Sequence, residues 1–244
     1  LRDAAHNDET VAGVAVHCDK RALDFAWIPG ERRLADLRLI AMDMDSTLIT
    51  IECIDEIGGA LGIKTDIAAI TAQAMRGEID FAESLRRRVA LLAGVPVEAL
   101  ERVYRDKLRL SPGAERLIER AKHLGIRTLL VSGGFTFFTE RLKARLGLDY
   151  TLSNVLETSD GKLTGSVSGP IVDAKAKAAR LIELRDALGL KKAQTLAIGD
   201  GANDLPMLAE AGVSVAWRAK PVVRAHATHA LDHSGLDAVL NLFE

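Results

Sequence analysis

Asp43 and Asp45 stand two residues apart where the apolar run LRLIAMDMD (37–45) ends. A second apolar run, IRTLLVSGG (126–134), ends in Ser132-Gly133-Gly134, and a third, AQTLAIGDG (193–201), ends in Gly199-Asp200-Gly201. Carboxylates brought together repel unless a cation lies between them. Hard oxygen donors suit Mg2+, which takes one or two carboxylates, keeps waters and accepts phosphate oxygens. At an i, i+2 spacing, one of Asp43 and Asp45 can offer its side chain and the other its backbone carbonyl. Ser132 followed by two glycines offers a hydroxyl and approachable backbone N–H groups, a seat for an anion. The chemistry favoured by these residue types is metal-assisted work on a phosphate. The plain alternative is that the acid groups are separate solvated turns.

Further charged residues are candidates of lower specificity. Lys177 can present a compact positive charge to a transferring phosphoryl group, but Lys175 and Arg180 compete with it. Arg86, Arg87 and Arg88 are consecutive on an expected helix, where neighbours point about 100° apart, so at most one aims at a shared pocket. Glu52 is either an acid in a first helical turn or a ligand for substrate. Cys53, His226, His229 and His233 match no metal or nucleophile pattern.

The elements that must position these residues follow from hydrophobic patterning. A short continuous apolar run ending in polar residues is the signature of a buried parallel strand whose carboxyl end opens on a site. In an open parallel sheet, ligands sit beyond those ends, so the three triplets should converge. Strand and helix alternate over 37–48 and again from 111 onward, which predicts a parallel sheet with helices on both faces. SPGAERLIERAKHLG (111–125) reads as a helix with Pro112 in its first turn. DAKAKAARLIELRDALG (173–189) reads as another helix, AGVSVAW (211–217) as a further strand, and Asp160-Gly161 as a hairpin turn. Residues 51–108 are instead helical throughout, with Thr65 and Asp80 as capping candidates, and have the size of a small cap domain. Before them, VAGVAVHCD (11–19) and LDFAWIP (23–29) are expected as short strands.

Composition narrows the partners. The 244 residues carry 32 basic and 34 acidic side chains, a net charge of −2. That provides no global positive field for nucleic acid or an anionic membrane, and 4% aromatics provides few stacking surfaces for bases. No apolar run approaches a membrane span. Cys18 and Cys53 are expected as reduced thiols, as in a cytoplasmic protein.

DMDST resembles the first motif of the haloacid dehalogenase superfamily, Asp-x-Asp-x-Thr/Val. VSGG resembles its second motif, Lys177 its third and GDGANDLPM (199–207) its fourth. Within that superfamily the chain is similar to the phosphoserine phosphatases, through DMDSTLI, FAESLRRRV, VSGGF, LGLDY, DGKLTG and GDGANDLPML. The resemblance implies an α/β fold: a Rossmann-like core at 37–50 and 109–244, a helical cap at 51–108, and residues 1–36 as a short N-terminal appendage, with the remnant of a regulatory domain as one reading. It implies Mg2+-dependent hydrolysis of O-phospho-L-serine through an aspartyl-phosphate, the last step of serine biosynthesis. Phosphothreonine, phosphohomoserine or transfer to another alcohol are the alternatives.

The resemblance also implies roles. Asp43 would be the nucleophile and Asp45 the acid and then base. Asp43, the Asp45 carbonyl and Asp200 would hold the metal, with Asp204 in support. Ser132, the Gly133 amide, Lys177 and Asn203 would meet the phosphate. Glu52 would meet the substrate amino group and Arg88 its carboxylate, with Met75 and Phe81 as apolar neighbours. Arg88 and Lys177 are chosen over their neighbours by this resemblance alone. An ordinary aspartate, with a pKa near about 3.9, is ionised at neutral pH and needs no base to attack.

Overall fold

The computed structural model describes residues 7–30 and 32–243. Residues 1–6 and 31 of the expected appendage, and residue 244, lie outside them. Among the described residues, the first element is helix α1 (Asp8–Asp19), where a strand is expected over 11–19. Its half-buried residues Val11, Val14, Ala15 and Cys18 follow a helical period. Nearly every position of that stretch is small or apolar, so its sequence does not separate a period of 2 from one of 3.6. The Asn7 side chain accepts from Thr10 N–H at 2.8 Å and caps the helix. Residues 23–29 run without strand pairing.

Strand β1 (Leu39–Met42) follows, then four helices: α2 (Cys53–Leu61), α3 (Lys64–Met75), α4 (Phe81–Ala90) and α5 (Val97–Asp106). Asp80 caps α4 by accepting from Glu83 N–H at 2.7 Å. Thr65 lies inside α3, whose N-cap is Ile63. The chain then forms α6 (Ala114–His123), β2 (Arg127–Phe135), α7 (Thr136–Leu146), β3 (Tyr150–Ser159) and β4 (Lys162–Ser168). Pro112 falls just before α6, because Gly113 adopts a left-handed cap with φ 80°. The chain closes with α8 (Ala174–Ala187), β5 (Thr195–Gly199), α9 (Leu205–Glu210), β6 (Val213–Trp217), α10 (Pro221–Arg224) and β7 (His229–Leu231). Among the described residues no helix is long and apolar enough to cross a membrane.

The strands form one sheet in the order β4-β3-β2-β1-β5-β6-β7, parallel except for the β3–β4 hairpin. Every residue of β1 is buried. Ile40 and Met42 join the cluster under α6 and α7, while Leu39 and Ala41 join the one under α8 and α9. Apolar residues at all four positions are therefore required, as expected for a strand covered on both faces. β1 pairs with β2 on one side and β5 on the other. Connections on its two sides run in opposite directions, which opens a crevice at the carboxyl ends.

The chain leaves this sheet region and returns to it side by side: Ile49 bridges Leu110, and Ser111 N–H donates to Leu48 O at 2.9 Å. The helices in between also lean on the hairpin, through Gly94 N–H to Leu163 O and Leu163 N–H to Val95 O, each 2.8 Å.

Candidate active site

Asp43 is the first residue past β1, and its N–H still donates to Ile198 O of β5 at 3.1 Å. Sheet pairing thus sets where the carboxylate begins. Its Oδ1 accepts from Met44 N–H at 2.7 Å and lies 2.8 Å from Lys177 Nζ. Lys177, 1% exposed, also donates to Asp204 Oδ1 at 2.8 Å. The first turn of α8 that carries it is fixed by Asp173, which accepts from Ala176 N–H at 2.8 Å. Of the competing cations, Lys175 is exposed and Arg180 pairs with Glu183 at 2.9 Å. Only Lys177 faces the sheet.

After Asp43 the chain turns sharply, with Ser46 in the left-handed region at φ 55°, uncommon for a residue with a side chain. Asp45 then points back: its Oδ1 accepts from Cys53 N–H at 2.9 Å and its Oδ2 from Ser132 O–H at 3.4 Å. β2 must come very close here. A Cβ on Gly134 would stand 2.8 Å from Asp45 Oδ2, and one on Gly133 would stand 2.9 Å from Phe81 Cζ. On the far side of β1, Asp200 follows β5 and accepts from Thr47 O–H at 3.0 Å. Asp204 completes its contacts by accepting from Gly201 N–H at 3.0 Å.

These groups border a cleft of about 540 Å³. Asp43, Asp45, Ser132, Gly133, Asp200 and Asn203 line it from the strand ends. Glu52, Met75, Phe81 and Arg88 line it from the helices between β1 and α6. Lys177 and Asp204 lie buried behind it. Of the three arginines, Arg88 is half-buried in the cleft, while Arg86 and Arg87 are exposed and Arg87 pairs with Glu83 at 2.6 Å. Arg88 Nε donates to Ser84 O at 3.3 Å. Glu52 accepts from Ser46 O–H at 2.6 Å. Met75 is 70% exposed, at the rim.

Electrostatics qualify the expectation of an ordinary ionised aspartate. Burial, then repulsion by Asp204, pushes Asp43 well above the usual carboxylate range, with Lys177 pulling it back. Burial also raises Asp45, against its hydrogen bonds from Cys53. Asp200 rises to about 6, by burial and then Asp204. Glu52 rises to about 7, by burial and then Asp45. Burial alone would lower Lys177, but Asp43 and Asp204 hold it above its ordinary value. Burial likewise lowers Arg88, against Asp55 and Glu52.

One carboxylate oxygen from each of Asp43, Asp200 and Asp204 lies within 4.8 Å of the others. Negative charge exceeds what the Lys177 ammonium offsets, and the donors are hard oxygens. That donor set fits a divalent cation of the magnesium type.

Three contributors have roles that the sequence does not announce. Thr47 holds Asp200, the Cys53 N–H holds Asp45, and Asn154 bonds to Gly133 O at 2.8 Å. The threonine belongs to the DMDST run, but nothing in its spacing says which acid it serves.

Comparison with known proteins points the same way. The haloacid dehalogenase-like hydrolase family matches residues 40–209. A protein of Polaromonas sp. called phosphoserine phosphatase is 57% identical over 215 residues, 86% of this chain and 91% of its own. The crystal structure of a HAD family hydrolase from Salmonella enterica serovar Typhi superposes with a TM-score of 0.91 at 40% identity, over 100% of this chain and 83% of that one. A substrate-bound phosphoserine phosphatase complex superposes with a TM-score of 0.79 at 37% identity, over 85% of this chain and 99% of that one. With the acids and serine at the strand ends and the lysine on α8, a matched span of that length shows that the chain belongs to the haloacid dehalogenase-like hydrolase family.

Proposed function

We propose that the protein hydrolyses O-phospho-L-serine to L-serine and inorganic phosphate, the last step of serine biosynthesis, in the cytoplasm. The observation that carries this reading is the placement of Asp43, on the buried Lys177 ammonium, at a cleft whose other lining includes Glu52 and Arg88. Relatives called phosphoserine phosphatase support the choice of substrate. The division into a core at 37–50 and 109–244 and a cap at 51–108 belongs to the same reading, supported by the paired crossing at Ile49 and Leu110.

Asp43 Oδ attacks phosphorus, the bond from phosphorus to the serine oxygen breaks, and Asp45 delivers its proton to that oxygen. Water next attacks the aspartyl-phosphate and gives its proton to Asp45. The bond to Asp43 breaks, and phosphate leaves. Ser132 O–H, the Gly133 N–H and Asn203 orient the phosphoryl oxygens, and the Lys177 ammonium offsets charge beside Asp43. Glu52 accepts from the substrate ammonium, and Arg88 donates to its carboxylate. Met75 and Phe81 keep water from the serine portion.

Asp43, the Asp45 carbonyl and Asp200 would hold Mg2+, with Asp204 behind them. Bound there, the cation would neutralise the acids and attract the phosphate dianion. Purified protein with Mg2+ is expected to release phosphate from O-phosphoserine, to stop on chelation, and to lose turnover in Asp43→Asn. Near-normal activity in that variant would sink the nucleophile assignment.

A further inference from the structure

Asn154 sits on β3 outside the cleft lining and is 2% exposed. Both ends of its side chain are engaged. Nδ2 donates to Gly133 O at 2.8 Å, and Oδ1 accepts from Val172 N–H at 2.8 Å. A carboxylate lacks the donor and an aliphatic side chain lacks both, so the primary amide is the group this position needs.

The place it grips lies where the register of β2 against β3 slips. The register of β2 against β3 shifts between Val131, opposite Leu152, and Phe135, opposite Asn154, so residues 132–134 fall within an irregular stretch of the pairing. The 133–134 peptide is fixed from two directions: Asn154 takes its carbonyl, and its N–H donates to Ser132 Oγ at 2.9 Å. The same Ser132 hydroxyl donates to Asp45 Oδ2 at 3.4 Å. The other end of the amide holds Val172, next to Asp173. Asp173 caps α8 through Ala176 N–H at 2.8 Å, and its carbonyl accepts from Lys177 N–H at 3.0 Å. One buried side chain therefore ties the Ser-Gly-Gly strand end to the start of the helix that carries Lys177.

We infer that Asn154 is a positioning residue for the phosphoryl seat, fixing the 133–134 peptide and the start of α8 relative to each other. The inference rests on the phosphatase reading above. It acts on the phosphate side of the cleft and not on Glu52 or Arg88, which come from other elements.

The test uses Asn154→Leu, which removes both bonds, and Asn154→Asp, which keeps the acceptor for Val172 N–H and loses the donor. Calorimetry with Mg2+ present measures inorganic phosphate and L-serine as separate probes. Loss of one such buried bond corresponds to about a tenfold effect. Both variants should weaken phosphate about tenfold and lower kcat on O-phosphoserine by at least as much, with L-serine affinity held within about twofold. A residue that only supports packing would lower the melting temperature and move the two probes alike. Phosphate affinity within about twofold of the unaltered protein, or equal losses for phosphate and serine, would overturn the inference. If Asn154→Leu does not fold, Asn154→Asp decides. An unaltered protein inert toward O-phosphoserine would refute the substrate reading, while phosphate binding would still decide the role of Asn154.

Discussion

Replacing Lys177 by Met keeps the volume of a buried side chain and removes its charge. Asp43 and Asp204, each 2.8 Å from the ammonium, would then face each other without a counter-charge. At an effective dielectric of about 20, one contact at that distance is worth ~6 kcal/mol of attraction. Most of that is offset by the cost of burying the ions, and removing one member of a buried pair costs ~3–5 kcal/mol net. Urea denaturation in chelator should therefore show Lys177→Met destabilised by ~3–5 kcal/mol. Adding Mg2+ should recover much of the loss, because a cation among Asp43, Asp200 and Asp204 supplies the missing charge. Asp204→Asn should cost less in the Lys177→Met background than alone, since the repulsion between Asp204 and Asp43 is left without a counter-charge there. Turnover should fall by about 10²–10³, the usual effect of losing one charge-stabilising group. A destabilisation under ~1 kcal/mol with strictly additive variants would refute the reasoning, because that is the behaviour of an exposed pair.

Arg88→Ala should raise KM for O-phosphoserine by about 10- to 100-fold, the worth of a hydrogen bond to a charged group. O-Phosphoethanolamine, which lacks the carboxylate, should be little affected, and equal losses on both would reject the role of Arg88. Gly134→Ala would put a methyl 2.8 Å from Asp45 Oδ2. Displacing the acid should cost on the order of 10² in kcat with little change in L-serine inhibition, and unchanged steady-state kinetics would dismiss the close approach. His229, held at about 4 by burial and then by Arg32, is neutral in the folded state. The unfolded chain takes up the proton first, near about pH 6.5, so this contribution is complete above that value and is lost as pH falls from there towards 4. Screening at this half-buried edge limits it to about 1 kcal/mol. His229→Gln should be less sensitive than the unaltered protein in melts over that window, and parallel curves would exclude the effect.

The strand ends were legible in the sequence because a strand buried on both faces has to be apolar at every position. β1 is apolar throughout, and β2 and β5 carry apolar runs, over 129–131 and 196–198, that end where the site begins. α1 was not legible, because its small and apolar residues satisfy either period. Pro112 lies two residues before α6 and Thr65 two residues past the N-cap of α3, because a left-handed Gly113 and an uncapped Ile63 set the real boundaries. Lys177 and Arg88 could be picked from their neighbours only by resemblance. In a charged helix the buried face depends on what the helix packs against, which a single run of lysines or arginines does not encode. Asn154 was illegible for a different reason: its partners, Gly133 and Val172, are peptide groups, and any sequence supplies those.

The two halves of the site differ in how firmly they are held, and that difference has a functional consequence. Asp43, Asp45, Asp200 and Lys177 are each fixed by bonds reaching across strands, loops and α8. Moving any of them disturbs several elements at once. Among the described residues, the Arg88 side chain hydrogen-bonds within its own helix, to Ser84 O, and the Glu52 side chain to the nearby Ser46 hydroxyl. Substitutions there leave the strand ends intact. Under the proposed function, phosphoryl transfer would rest on groups built into the sheet, while recognition of the amino and carboxylate groups would fall to side chains that can change without it. Changes of substrate should therefore arise at Glu52, Arg88, Met75 and Phe81, and loss of chemistry at the strand ends.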